Sequence, residues 1–378
     1  MKLARDQATL AKITALIEYA FQKKHSLITD PVFLTRYEHA DAYGAYQADE
    51  LTSLVMANQF KVQYFSKSLK MAGVGYVASY PEYRGQGTIA KLMGELLCDL
   101  YENGVAVSQL APFSENFYRQ FGYENTSQKK NYQIPATAFA HFKSERQGFV
   151  KRGTWPQLGK SIKDIYQSLL PGQIGTLIRE DWWWERLAAY YPDRFYAVAF
   201  DDEKRAVGYL IYRMQGDTLV LDELAYQNDF AVQKLLTYVK THTSSFEKVI
   251  YSGPVQALIE NYFGEQQELV ITLRPYMMSR IIDIKQVLQA LPLQQKVIVE
   301  VTEDSYCPWN VGSWLVDQRT CQKVKRTGDV QGSIQSLSEL LLGGLTLAEA
   351  VFLGKVNVTK QFASDPFPKG QQSFYDYF

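Results

Sequence analysis

Val77-Ala78-Ser79-Tyr80-Pro81-Glu82-Tyr83-Arg84-Gly85-Gln86-Gly87-Thr88-Ile89-Ala90 is the stretch on which the fold turns. It joins an apolar run with strand character, Leu69 to Ser79, to a helical pattern. In that pattern Ile89, Leu92, Met93, Leu96, Leu97 and Leu100 recur at three- and four-residue steps until Gly104 ends it. Gly85 and Gly87 permit backbone N–H groups to approach an anion closely. The helix beginning there adds its partial positive end, and Arg84 adds a fork-shaped cation. Val77, Ala78, Ser79, Arg84, Gly85, Gln86, Gly87 and Thr88 are therefore candidate phosphate-binding residues, with a pyrophosphate as the natural occupant.

Upstream, Leu10, Ile13, Ile17 and Ala20/Phe21 form one face of a helix capped by Asp6. Strands follow at Ala42 to Gln47, Leu51 to Phe65 and Leu69 to Ser79, an antiparallel meander leading into the glycine turn. Downstream come a strand at Val105 to Leu110 and a short helix capped by Ser114, on which Tyr118 rides with Phe117 and Phe121. From about residue 145 the same order returns. Strands are expected at Phe195 to Phe200, Ala206 to Met214 and Leu219 to Leu224, then a helix through Val232, Leu235, Leu236 and Val239. Ala225 to Asp229 replaces the glycines, so this copy should lack the anion site. A third segment begins near Arg280, with a helix at Ile284 to Leu291 and strands at Val297 to Val301 and around Ser313 to Val316. Two late helices are expected behind capping boxes, Ser336 with Glu339 and Thr346 with Glu349. The expected fold class is α+β with mixed sheets, divided at residues 1–144, 145–280 and 281–378.

Composition narrows the function classes. At roughly 150 residues per domain, 378 residues imply two to three domains. Forty basic against forty acidic side chains leave no net field for a polyanion, so nucleic acid is not expected as a partner. Cys98, Cys307 and Cys321 form no CxxC, and His25, His39, His141 and His242 lack ligand spacing, so no metal site and no disulfide framework are expected. Leu340 to Gly354 spans about 15 residues and contains Glu349, short of the ~20 a bilayer demands. Charged residues interrupt the first 21 positions where a leader would be apolar. The expectation is a soluble cytoplasmic protein without a membrane partner.

Three occupants compete for the glycine turn. The Walker pattern GxxxxGK[ST] is absent. Gly85 to Ala90 matches the dinucleotide pattern GxGxxG/A, but Gly104 to Pro112 carries no acidic residue where a ribose would need one, and a meander precedes the glycines. The third is coenzyme A. Arg84-Gly85-Gln86-Gly87 after Pro81-Glu82-Tyr83 resembles the acetyl-CoA turn of the GNAT acetyltransferases, and Ile89 in place of a small residue suits their enhanced intracellular survival (Eis) branch. The resemblance extends to Asn116 through Tyr123, Asp181-Trp182-Trp183-Trp184, Cys307-Pro308-Trp309-Asn310 and the aromatic terminus Phe374 to Phe378. It implies an N-terminal acetyltransferase domain, a degenerate second copy and a domain similar to sterol carrier proteins. It also implies acetyl-CoA as co-substrate, an amine acceptor such as an aminoglycoside, polyamine or peptide, and a homo-oligomer, hexameric in relatives. Gly85 departs from the family, where a basic residue is common, which implies fewer phosphate contacts.

The resemblance supplies two catalytic roles, Tyr118 as acid toward the departing thiolate and the terminal carboxylate on Phe378 as base. Transfer to an amine needs a base, a solvent path or both, because deprotonating an alkylammonium costs about 4.6 kcal/mol at pH 7. Backbone N–H groups at Val77 to Ser79 would polarise the thioester carbonyl. The tail has its own signal: Phe374, Tyr375, Tyr377 and Phe378 are aromatic where termini are usually polar and frayed, and burying several would anchor the carboxylate inside the protein. Loss of hydration there would raise its pKa. Trp182 to Trp184 read as interdomain packing and Cys307 as a buried small hydrophobe. The acceptor cleft is expected between the first and third domains. A non-catalytic protein binding coenzyme A or a lipid is the competing class.

Overall fold

The structure, a computed structural model, describes residues 1–378. The first unit runs α1 (Gln7–Ala20), α2 (Pro31–Glu38), β1 (Ala40–Gln47), β2 (Glu50–Tyr64), β3 (Lys67–Ser79), α3 (Thr88–Glu102), β4 (Val107–Leu110), α4 (Glu115–Arg119) and β5 (Glu124–Pro135). The second runs β6 (Phe149–Gly153), α5 (Trp155–Ser168), β7 (Ile174–Leu177), α6 (Asp181–Tyr190), β8 (Phe195–Phe200), β9 (Ala206–Gln215), β10 (Thr218–Tyr226), α7 (Asp229–Lys240), β11 (Lys248–Pro254) and β12 (Val270–Ile281). The third contains α8 (Ile284–Ala290), β13 (Val297–Val301), β14 (Gly312–Val316), β15 (Cys321–Val324), β16 (Val330–Gly332), α9 (Ile334–Leu341), α10 (Leu347–Phe352) and β17 (Val356–Val358).

Both copies follow one plan. β1, β2 and β3 form an antiparallel meander, α3 crosses over, and β4 returns parallel to β3. β8, β9 and β10 repeat the meander, α7 crosses over, and β11 returns parallel to β10. In each copy the parallel pair then separates. β3 meets β4 only over Met71 to Gly73 and runs on alone to Ser79, while β10 meets β11 over Thr218 to Leu221 and runs on to Tyr226. β12 inserts between β4 and β5, and β5 pairs in turn with β11, so the two copies share one twelve-stranded sheet. Separating the copies would therefore break ladder hydrogen bonds.

The third unit has its own five-stranded sheet, but its core does not close on itself. Val297, Val299, Leu337 and Leu341 belong to the same apolar cluster as Phe60, Val62 and Tyr64 of β2, Trp183 of α6, and Phe374 and Phe378 of the tail. Two of the three tryptophans pack between units, Trp182 stacked on His39 at 3.9 Å and Trp183 edge-on to Phe60 at 4.9 Å, while Trp184 packs inside the second unit against Trp155 and Tyr166. Cys307 is buried, and burial pushes its thiol up to about 12.

Local chemistry explains most boundaries. Asp6 caps α1 through the Thr9 N–H, Gly87 opens α3 with φ +76°, and Ser114 caps α4. The Thr346–Glu349 capping box forms as expected. The expected box at Ser336 and Glu339 does not. α9 starts three residues earlier, because Ser333 accepts from the Ser336 N–H at 3.3 Å, and Glu339 instead pairs with Lys355. α2 and α5 were not anticipated, although each carries its signal: Asp30 before Pro31, and the Thr154–Gln157 box around Pro156.

Candidate functional site

The separation of β3 from β4 opens a groove of about 620 Å³. All eight residues expected to hold a phosphate line it: Val77, Ala78, Ser79, Arg84, Gly85, Gln86, Gly87 and Thr88. Gly85 and Gly87 have φ of +75° and +76°, where an L side chain is strained, and a Cβ on either would meet nothing within 4 Å. Their backbone thus faces open space. No side chain caps α3, so the N–H groups of its first turn have no capping partner inside the protein. Arg84 Nε donates to the Ser79 carbonyl at 3.2 Å, which ties the turn to the end of β3. Uncapped donors, glycine access and a guanidinium fit the pyrophosphate of coenzyme A. The antiparallel meander ahead of this turn is not the βαβ unit that a dinucleotide would require.

A bulge redirects β3 at the head of the groove. Gly75 pairs with Met56 and Ala78 with Leu54, so two residues of β3 face one of β2, and Tyr76 takes φ +49°. Bulges of this kind re-aim side chains next to functional sites. Beyond the bulge lies a second cavity of about 280 Å³, which shares Val77, Phe21 and Phe113 with the groove. Tyr118 and Phe378 both line it. Tyr118 is 3% exposed, its ring meets Phe113 and Phe117 edge-on, and burial pushes its phenol above the ordinary value. It is therefore a protonated donor at neutral pH.

The terminus is held from both copies. Phe374 and Phe378 are buried against Tyr276 and Phe60, while Tyr377 stays exposed. Asp376, fully enclosed, accepts from Arg179 Nε at 2.9 Å and Trp183 Nε1 at 2.7 Å. Arg179 also donates twice to Glu223, at 2.8 and 3.1 Å, and Tyr276 holds the Asp376 carbonyl at 2.7 Å. Burial pushes the Asp376 carboxyl up and the Arg179 charge pulls it back.

Two glycines of β3 make the room. A Cβ on Gly73 would lie 2.8 Å from the Phe378 ring, and one on Gly75 would lie 3.0 Å from its carboxyl carbon. Sequence reasoning passed over Gly73, Gly75, Arg179, Asp376 and Glu223. Met71-Ala72-Gly73-Val74-Gly75 carried a signal, since glycine within a strand marks close backbone approach. The cavity is walled by the first unit, by Arg179, α6 and β10 of the second, and by Tyr375, Tyr377 and Phe378 at the end of the third, so the second copy adds a wall that the sequence did not suggest. The tail crosses to the other copies because the Arg179–Asp376 pair fixes it there.

Acetyltransferase (GNAT) domain families match residues 4–126 and again 175–281, and a sterol carrier protein domain family matches 284–375. A solved Enterococcus faecalis protein described as a probable N-acyltransferase is 31% identical. The alignment covers 100% of this chain and 98% of that one, with a TM-score of 0.92. The chain belongs to the GNAT acetyltransferases. Its three-part GNAT architecture is Eis-like: Eis1 of Mycobacterium abscessus superposes with a TM-score of 0.84 over 100% of this chain and 99% of that one, at 17% identity. An uncharacterized N-acetyltransferase of Streptomyces coelicolor is 23% identical over 310 residues, 76% of this chain and 75% of its own. As a GNAT protein the chain is an N-acyltransferase with a mixed α/β fold and a degenerate second copy.

Proposed function

We propose that the protein transfers an acetyl group from acetyl-CoA directly to a primary amine of a small molecule or peptide. The observation that carries this is the junction at Val77. The groove with the uncapped helix start meets there the cavity that Tyr118 and Phe378 both line. Bound acetyl-CoA would supply a thioester with an electrophilic carbon. The residues Arg84 to Thr88 would hold its pyrophosphate, and N–H groups along Val77 to Ser79, on the β3 edge that β4 leaves, would polarise the thioester oxygen. The Phe378 carboxylate would take the proton of the attacking ammonium. As the new C–N bond forms and the C–S bond breaks, Tyr118 would donate a hydrogen bond, and then a proton, to the sulfur, and the second proton shed by the acylated nitrogen would restore the Tyr118 phenol through solvent. The raised Tyr118 pKa favours hydrogen bonding over early proton loss.

A cytoplasmic homo-oligomer with no nucleic-acid or membrane partner belongs to the same proposal, and light scattering on the eluting peak measures the subunit count. The central experiment is a screen of amines against acetyl-CoA with free-thiol detection, using protein untagged at its C-terminus. Transfer that disappears in Tyr118→Phe and after deletion of Phe378 supports the reading. Tight coenzyme or lipid binding with no transfer to any amine would instead favour a binding module.

A further inference from the structure

Arg36, Arg179 and Arg186 reach the cavity beside the terminal carboxylate, and they differ in what neutralises them. Arg179 is matched by Asp376 and Glu223. Arg36, on α2, is 6% exposed, and its Nε donates to Asn58 Oδ1 at 2.8 Å, but its Nη2 has no partner. Arg186, on α6, is 7% exposed and lies over the rings of Trp183 and Tyr190, at 4.8 and 5.1 Å. Its Nε has no partner either. No acidic side chain forms an ion pair with either guanidinium. Glu223, which also faces the cavity, is already occupied by Arg179 and by the Tyr209 hydroxyl.

Guanidinium groups almost never remain enclosed without an anion, because the desolvation cost of an unpaired buried charge is large. Here two lie close enough that, after burial itself, Arg36 is the main influence pushing the Arg186 pKa down, to about 10. The Phe378 carboxylate is the remaining nearby anion. A Cβ on Gly75 would stand 3.0 Å from its carbon and 2.5 Å from Arg36 Nη2. One carboxylate does not balance two guanidiniums. Small size points the same way: about 280 Å³ falls just below the roughly 300–1,000 Å³ of usual ligand pockets, room for a molecule of amino-acid size.

We propose that the acceptor is a small amine that also bears an oxyanion, its anionic end held by Arg36 Nη2 and Arg186 Nε while its amine faces the Phe378 carboxylate. This rests on the transferase reading and deepens it, by excluding purely cationic polyamines as preferred acceptors.

Matched acceptors test it: lysine against cadaverine, ornithine against putrescine, and phosphoethanolamine against ethanolamine. In the parent protein the oxyanion-bearing member of at least one pair should show a kcat/KM tenfold or more above the partner that lacks the oxyanion. The pair that does so separates a carboxylate from a phosphate ligand. Arg186→Met and Arg36→Met should collapse that ratio toward one, through KM for the oxyanion-bearing member. Arg186→Met should not melt below the parent, since it loses a buried cation without an ion pair, whereas Arg36→Met also strips the buried Asn58 Oδ1 of its donor and should melt somewhat lower. A preference for cadaverine and putrescine, or a ratio that survives both substitutions, overturns the proposal and leaves the transferase reading intact. If no amine is acetylated, the transferase reading fails first, and binding decides this one. N-acetyllysine must then raise the melting temperature of the parent more than N-acetylcadaverine does and lose that advantage in both variants; equal shifts overturn it.

Discussion

The first and second GNAT copies build the same split between parallel strands and put opposite things into it. In the first, α3 begins at a glycine with no capping side chain, and the groove in front of it is open. In the second, the Asn228 side chain accepts from the Ala231 N–H at 2.9 Å, which satisfies the start of α7. There the split receives the chain's own tail. The Tyr375 hydroxyl bonds the Tyr251 hydroxyl at 2.9 Å and the Leu224 carbonyl at 3.0 Å, leaving a tyrosine-lined cavity of about 350 Å³. The same topology therefore leaves an open groove where the helix N-terminus is uncapped and a docking socket for the tail where it is already satisfied. The two roles are joined, because seating Tyr375 in the second copy sets Phe378 beside the first.

Removing Phe378 should produce the largest separation between the copies. Loss of a positioned base lowers kcat by about 10² to 10⁴-fold, while coenzyme affinity in the untouched groove should stay within about twofold. A variant that keeps a third of its turnover would remove the terminal carboxylate from the mechanism. Tyr118→Phe should follow, with kcat down by about 10²-fold and no loss of thermal stability. Its pH profile carries a sign. The donor works while protonated, and burial raises its pKa, so no alkaline limb due to Tyr118 should appear at or below the ordinary phenol value of about 10. A limb near pH 9 that disappears in Tyr118→Phe would contradict this.

A mirrored pair at the two helix starts tests the comparison directly. Gly87→Val forces a branched side chain to φ +76° and should weaken coenzyme binding tenfold or more by calorimetry. Asn228→Ala removes a cap, costs about 1 kcal/mol in urea unfolding, and should leave that affinity unaltered. If both substitutions weaken coenzyme binding alike, the copies are not functionally distinct. The smallest effect is expected from Tyr375→Phe, about 1 kcal/mol for its lost hydroxyl bonds, with kcat changed by less than threefold because Asp376 and Phe378 still anchor the tail.

Elements governed by local chemistry were legible in the residues. The three- and four-residue steps from Ile89 to Leu100, the caps at Asp6, Ser114 and Thr346, and the strand Val297 to Val301 all appear where expected, although that strand is buried on both faces rather than alternating. The groove residues were legible for the same reason, since Arg84 to Thr88 are adjacent in sequence and their backbone conformation is set by two glycines. Ser336 was misread because several serines in one short segment offer the same cap, and only packing chooses Ser333.

What the chain's letters determined alone is whatever a few neighbouring residues settle among themselves: the repeated meander, the anion-ready turn in one copy and its loss in the other. Only tertiary structure decided that β12 completes the first sheet, that Arg179 reaches Asp376 across 197 positions, and that Arg36 and Arg186 converge unpaired on one cavity. Such contacts depend on long-range burial, in which charge and partner meet through folding, and no local pattern encodes which distant side chain will neutralise a cation or leave it waiting.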